Sequence, residues 1–291
     1  MEENTAKITE IARRDEVFGD RCVLVTNGNL TSMIALSGWL KSHGEKILKI
    51  YVTYKLPSSK NNMAGALGLL SGSGAGYFWM KLLLNKFLPV WVRLSGAGAS
   101  VSDYVEHLGL SIPVESVDSV NTPEFLQELA ELRPKCLVSF SATQRFSKKM
   151  IESFPAGAVN VHYGALPRYA GLSPYFWHLY HREDKFGVTL HRIEEKLDAG
   201  GIISQVERPT PKSRDALDLL LDMSEQVSPL LNDLFDGEKS LKDAYPQDLT
   251  ARSYFKHPSR SEMALYKESG CTLTTRESIG RLRRVVRTIM E

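Results

Sequence analysis

The sequence predicts an α/β fold, an open and mostly parallel sheet with a small helical appendage at the C-terminus. Two observations carry this. Short apolar runs recur between helical patterns in strand–helix–strand order, the signature of βαβ units and hence of parallel pairing. The last fifty or so residues lack such runs and read as helical instead.

The first run, "RCVLVTNG" at 21–28, ends at Asn-Gly and reads as a buried strand followed by a turn. Met33, Leu36 and Leu40 then recur at helical spacing, with Gly44 suited to the helix end. "TNGNLTS" at 26–32 reads as that turn and helix cap; as a phosphate-binding turn it has too little glycine. "KILKIYVTY" at 46–54 gives the second strand. A Thr122 cap with Pro123 at the first helical position opens the next helix. Strands follow at "KCLVSFS", "AVNVHYG", "KFGVTLHRI" and "GGIISQVERP". The segment 213–237 reads as one amphipathic helix, capped by Ser213 and closed by Gly237. The fold divides into an N-terminal extension (1–20), a main domain (21–245) and a C-terminal helical subdomain (246–291).

The stretch 64–94 fits this scheme least. It has no charge before Lys81, but Ser71, Gly72, Ser73, Gly74 and Gly76 break the run that a membrane span needs. It is expected to be a loop plus a partly buried helix, the alternative being a surface that touches lipid or an apolar partner. No membrane span is expected.

The chain has 291 residues, 43% hydrophobic and 24% charged, with a net charge of +2. These values suit a globular protein and give no reason to expect nucleic-acid binding. Cys22, Cys136 and Cys271 lie far apart, without metal spacing or a disulfide framework. No metal site is expected. The polar N-terminus lacks an apolar signal core, so the expected location is cytoplasmic.

Candidate chemistry gathers in "AVNVHYGALPRYAGLSPYFW" at 158–177. Residues two apart on a strand share a face, so Asn160 and His162 point together while Val159 and Val161 point the other way. They stand at the carboxyl end of a parallel strand, where open α/β sheets collect ligands. Pro167, Gly171 and Pro174 fix the loop that follows. Downstream, "LDAGGII" places Asp198 before a Gly pair and a strand. The remaining histidines (His43, His107, His178, His181, His191 and His257) show no spacing that demands catalysis, and His191 is expected to be structural.

Taken together, "VNVHYGALPRYAG", "SPYFWHLYHRED" and "FGVTLHRIEEKLDAGGII" resemble the folate-dependent formyltransferases, a family that includes glycinamide ribonucleotide, methionyl-tRNA and sugar N-formyltransferases. The likeness covers roughly residues 21–206 and is densest over 137–205. It implies an open, Rossmann-like sheet of the formyltransferase type. It also implies a catalytic triad of Asn160, His162 and Asp198, with 10-formyltetrahydrofolate as formyl donor and a small-molecule amine as acceptor. That triad suits the reaction. An amide N–H and a proton-bearing imidazole can stabilise the oxygen that turns negative on attack. A carboxylate beside the imidazole can hold its charged form and relay a proton.

By the same resemblance, the loop 141–147 lies beside the pterin. Phe140 and Phe146 would be its apolar walls, Thr143, Gln144 and Arg145 would lie along its edge, and Ile193 to Leu197 would form the opposite lip. Gln144 and Arg145 are polar where the family more often has an apolar run ending in Pro. Arg168 reads either as a contact to an anionic tail or as a solvated loop residue. Two other functions are considered. A methionyl-tRNA formyltransferase-like enzyme would carry a β-barrel after the core, and the residues left after Tyr245 are too few for one. A non-catalytic folate-binding relative would have no use for Asp198. The apolar residues of 252–291 require that the tail dock on the core or on a second subunit of a homodimer.

Overall fold

A computed structural model describes residues 18–53, 62–94 and 96–291, the backbone alone over 62–67. The strands are β1 (Cys22–Thr26), β2 (Ile47–Val52), β3 (Val114–Ser116), β4 (Cys136–Phe140), β5 (Gly157–His162), β6 (Ala170–Gly171), β7 (Lys185–Arg192), β8 (Ile202–Pro209) and β9 (Tyr254–Phe255). Seven form one sheet in the order β3-β2-β1-β4-β5-β7-β8. Pairing is parallel from β3 to β5, and antiparallel for β5 with β7 and β7 with β8. β6 and β9 make a separate two-residue ladder. Residues 1–17 of the expected N-terminal extension and Tyr54 of the expected second strand lie outside the described residues.

The central strands are apolar on both faces because helices cover both. On one face Cys22, Leu24, Ile50, Val138, Val159 and Val161 join the larger core. On the other, Val23, Val25, Tyr51, Leu137 and Ala158 pack with Phe125 and Leu129 of the Pro123–Leu132 helix and with Met150. Strand alternation puts Asn160 and His162 on this second face, at the carboxyl end of β5.

Helix starts follow the expected chemistry. Asn29 accepts from the Ser32 N–H ahead of the Leu30–His43 helix, and Thr122 accepts from the Phe125 N–H. The 213–237 helix differs. It is two helices, Ala216–Glu225 and Val227–Phe235, and its cap is Asp215, not Ser213. The Asp215 carboxylate accepts from two helix N–H groups and from the Thr272 hydroxyl, so the cap also ties in the C-terminal region.

The 62–94 stretch is more helical than expected. A helix spans Asn62–Leu82 with a kink at Gly74 (φ 81°), then a π-type turn at Leu83–Phe87 and a helix at Leu88–Leu94. Tyr77, Met80, Leu84, Leu88 and Val92 form its buried stripe. The tail docks on the core. Tyr266 of the Arg260–Glu268 helix stacks on Phe176 at 4.4 Å, and Leu282 and Val286 of the Arg276–Met290 helix are buried. Arg281 of that last helix meets Asp218, Asp222 and Glu225.

Candidate active site

β5 and β7 run antiparallel in a register that sets Asn160 beside His191 and His162 beside Thr189. The site grows from these pairs. His191 Nδ1 donates to the Arg192 carbonyl (2.7 Å), which leaves Nε2 as an acceptor for the Asn160 amide Nδ2 (3.1 Å). Burial holds the His191 ring neutral, lowering its pKa to about 4 against the pull of Asp198. A neutral ring protonated on Nδ1 thus fixes which end of the half-buried Asn160 amide faces it. The second N–H of that amide is free to serve a ligand.

His162, buried at the strand end, donates from Nε2 to the Tyr169 carbonyl (2.8 Å). Its Nδ1 faces Asp198 Oδ1 at 3.8 Å, and the same oxygen lies 4.0 Å from His191 Nε2. The other carboxylate oxygen accepts from the Gly171 N–H (2.9 Å). One carboxylate therefore stands between two imidazoles, with one oxygen anchored and the other turned toward both rings.

The loops that hold these groups leave little slack. A Cβ on Gly164 would lie 2.7 Å from the Tyr169 carbonyl oxygen and 2.9 Å from His162 Nε2, so only glycine lets the ring reach its partner. The Thr189 hydroxyl donates to the Gly164 carbonyl and accepts from the Leu166 N–H and Gln205. The Leu166–Pro167 peptide is cis, and Asp198 sits at φ 50°, a left-handed conformation that Asp tolerates better than most residues. The C-terminal region pins the Asp198 loop from outside. Gln247 donates to the Asp198 and Gly200 carbonyls, and Arg252 to the Leu197 carbonyl. Ser253 accepts from the Tyr169 and Ala170 N–H groups.

Of the expected site residues, the structure brings Asn160, His162 and Asp198 into one cluster, and adds His191 to it. Phe146 and Ile193 pack with the apolar cluster on the same sheet face. Gln144 is buried and uses both ends of its amide on the Val120 N–H and the Asp118 carbonyl. Thr143 is tied to Thr53, and Arg145 is exposed. Leu197 is half-buried beside Asp198. Phe140 is not a wall of this face. It is 1% exposed, on the opposite side of the sheet, edge-on to Tyr163. Arg168 pairs with Glu183 at 3.5 Å. The contributions of His191, Gln247 and Arg252 escape sequence reasoning. His191 had one usable signal, its place on a strand that pairs with β5; the other two had none. Among the described residues no group of three or more His, Cys, Asp or Glu could hold a metal ion.

Residues 100–226 match the model of the formyl transferase family. Solved structures share the fold. A phosphoribosylglycinamide formyltransferase from Bacillus halodurans superposes with a TM-score of 0.52 at 16% identity, over 75% of this chain and 95% of that one. A candidate sugar N-formyltransferase from Mycobacterium tuberculosis gives 0.51 at 17%, over 88% and 90%. An N-formyltransferase from Helicobacter canadensis, solved with folinic acid and dTDP-3-aminofucose, gives 0.50 at 18%, over 81% and 70%. Over residues 100–226 the chain is thus similar to the formyl transferase family, and the solved structures share its fold.

Proposed function

We propose that this protein is an N-formyltransferase that moves a formyl group from 10-formyltetrahydrofolate to an amine of a small-molecule acceptor. The observation that carries the proposal is the Asn160–His191–Asp198–His162 cluster at the carboxyl end of β5. Its donor set fits a formyl donor. It offers an amide N–H, an imidazole and a carboxylate, with no metal-ligand set, and all three cysteines are buried outside it. When bound, 10-formyltetrahydrofolate supplies a formyl carbon on a nitrogen able to leave. The loop 141–147, with Thr143, Gln144, Arg145 and Phe146, and the lip from Ile193 to Leu197 are where we place it.

The chain's own residues supply the rest. The free N–H of Asn160 can donate to an oxygen as it becomes negative. His162 keeps its Nε2 proton on Tyr169, so Nδ1 is the nitrogen that gains and loses a proton. Asp198 Oδ1 faces that nitrogen and can take the proton from the attacking amine, directly or through one water. This shifts the expected balance: both His162 nitrogens face protein groups, so oxygen stabilisation falls more on Asn160 and proton handling on the His162–Asp198 pair.

A small acceptor is favoured over aminoacyl-tRNA by the likeness to the Helicobacter canadensis enzyme, which was solved with dTDP-3-aminofucose. The region after Tyr245 carries one 3-10 turn (Leu249–Ala251), the two-residue β9 and two helices. We assign 246–291 as a C-terminal subdomain that buttresses the site through Gln247, Arg252 and Ser253. The test is incubation with 10-formyltetrahydrofolate and a panel of amino sugars, nucleotide-linked amino sugars and aminoacyl-tRNA, following tetrahydrofolate release. Release with a small amine, lost in His162→Ala, is the expected result. Release only with aminoacyl-tRNA, or none with any amine, would sink the proposal.

A further inference from the structure

The chain exposes ten large apolar side chains among its described residues, and five lie within 79–94. Trp79 is 57% exposed, Phe87 55%, Val90 57%, Trp91 37% and Leu94 83%. They recur at helical steps, opposite the buried stripe of Tyr77, Met80, Leu84, Leu88 and Val92. Trp79 and Phe87 stack at 6.4 Å across the π-type turn, which keeps the ridge continuous. Beside it runs an apolar groove of about 670 Å³, walled by Trp79, Met80, Leu83 and Phe87 on one side and Leu273 on the other, with Lys267 at its edge.

The charge around the ridge is one-sided. Residues 79–94 hold three basic and no acidic side chains, and 276–291 hold five basic and two acidic. The two stretches together carry +6 in a chain whose net charge is +2, so the rest carries −4. They adjoin, because the Arg283 guanidinium lies 3.7 Å from the centre of the Trp91 ring. Lys86, Arg283 and Arg284 are exposed and have no carboxylate partner among the described residues, whereas Arg93 pairs with Asp103, Arg281 with three acids and Arg287 with Glu291.

We infer that this ridge docks on an anionic lipid surface. Tryptophan and phenylalanine side chains set among unpaired cations match the interfacial layer of a bilayer, which takes apolar side chains and attracts basic ones. A second copy of this chain fits worse. A two-fold contact would set Lys86, Arg283 and Arg284 near their own equivalents, with no acid of the ridge to meet them. No described helix is long and apolar enough to cross a membrane, so the contact is with the surface. The ridge also connects to the candidate site. The helix bearing Trp79 carries Tyr77, whose hydroxyl bonds Ser173, and Lys81, which donates to the Tyr175 hydroxyl; Gly171, just before them, holds Asp198.

The test is sedimentation of the full chain with phosphatidylcholine vesicles, with and without phosphatidylglycerol, at low and high salt. Binding should need the anionic lipid and weaken with salt. It should shift Trp fluorescence to the blue, since Trp79 and Trp91 are exposed while Trp39 and Trp177 are buried. Replacing both Arg283→Glu and Arg284→Glu should weaken binding at least about 25-fold, from roughly fivefold per basic residue near the surface. Phe87→Ser should weaken it as well, with parental melting for every variant. Failure to sediment with anionic vesicles, equal sedimentation with both vesicle types, or a dimer that Phe87→Glu dissolves while vesicles leave the chain unbound would each overturn the proposal.

Discussion

The candidate site and the 79–94 ridge differ in what their side chains lack. Around Asp198 the protein's own polar groups supply the contacts. One carboxylate oxygen holds a backbone N–H, two imidazoles face the other, and the loops are pinned by Thr189, Gln205, Gln247 and Arg252. On the ridge, large apolar groups stand without cover. The first region is organised before any ligand arrives, as catalysis by fixed dipoles requires. The second is incomplete until something apolar meets it.

The largest effect should come from the site. Asp198→Asn and His162→Ala should each lower turnover by at least about a hundredfold while melting stays near parental, since the proposed mechanism has both groups act in the transition state. Near-normal turnover in either folded variant, measured by tetrahydrofolate release, would mean that the cluster is a structural hub.

Next comes acid. His191 and His178 are held neutral chiefly by burial, with pKa values near 4 against an unperturbed 6.5. Unfolding lets each ring take a proton, so the unfolded state binds more protons between pH 6.5 and 4. Stability therefore falls as pH falls through that window, by up to about 3 kcal/mol for each ring at its lower end. Urea midpoints measured against pH should show the slope, and His178→Gln should flatten it. A flat profile in the parent would mean that both rings charge freely in the folded state.

How much of this was legible follows from the range of each signal. The parallel core strands announce themselves as apolar runs because both faces are covered. Asn160 and His162 are legible because strand period puts them on one face, and Asp198 because it completes a spaced family pattern. His191 was visible as a strand residue, but its contact with Asn160 depends on the β5–β7 register, which no local pattern states. Gln247 and Arg252 reach the site from some fifty residues away in sequence, and neighbouring residues carry no trace of that. The 213–237 helix looked continuous because Gln226 is compatible with helix, although the chain breaks there. In 79–94 the trouble is the reverse. Apolar residues occupy both the inward and the outward stripe, so periodicity cannot tell which side is covered.

Truncating the inward stripe of the same segment supplies a third test. Leu84 is buried against the core, so Leu84→Ala should cost roughly 2–3 kcal/mol, the lower part of the range for buried leucine. A loss under about 0.5 kcal/mol would mean that the helix is loosely seated and that the ridge is no fixed surface.

The smallest effect is predicted for the outward stripe, and it discriminates most. Phe87 has more than half of its surface in water, and its recorded ring contact is with Trp79, itself exposed. Phe87→Ser therefore removes little buried area, while an exposed aromatic ring gains little from folding. Serine has a lower helix propensity than the best formers but is close to phenylalanine, so the local backbone should not change. The expected change in unfolding free energy is within about 0.5 kcal/mol, as for surface substitutions generally. Chemical denaturation of the parent and the variant in the same buffer measures it. A loss above about 1 kcal/mol would show that Phe87 is held by the protein itself, and the contrast between a self-sufficient site and an uncovered ridge would fail at that residue.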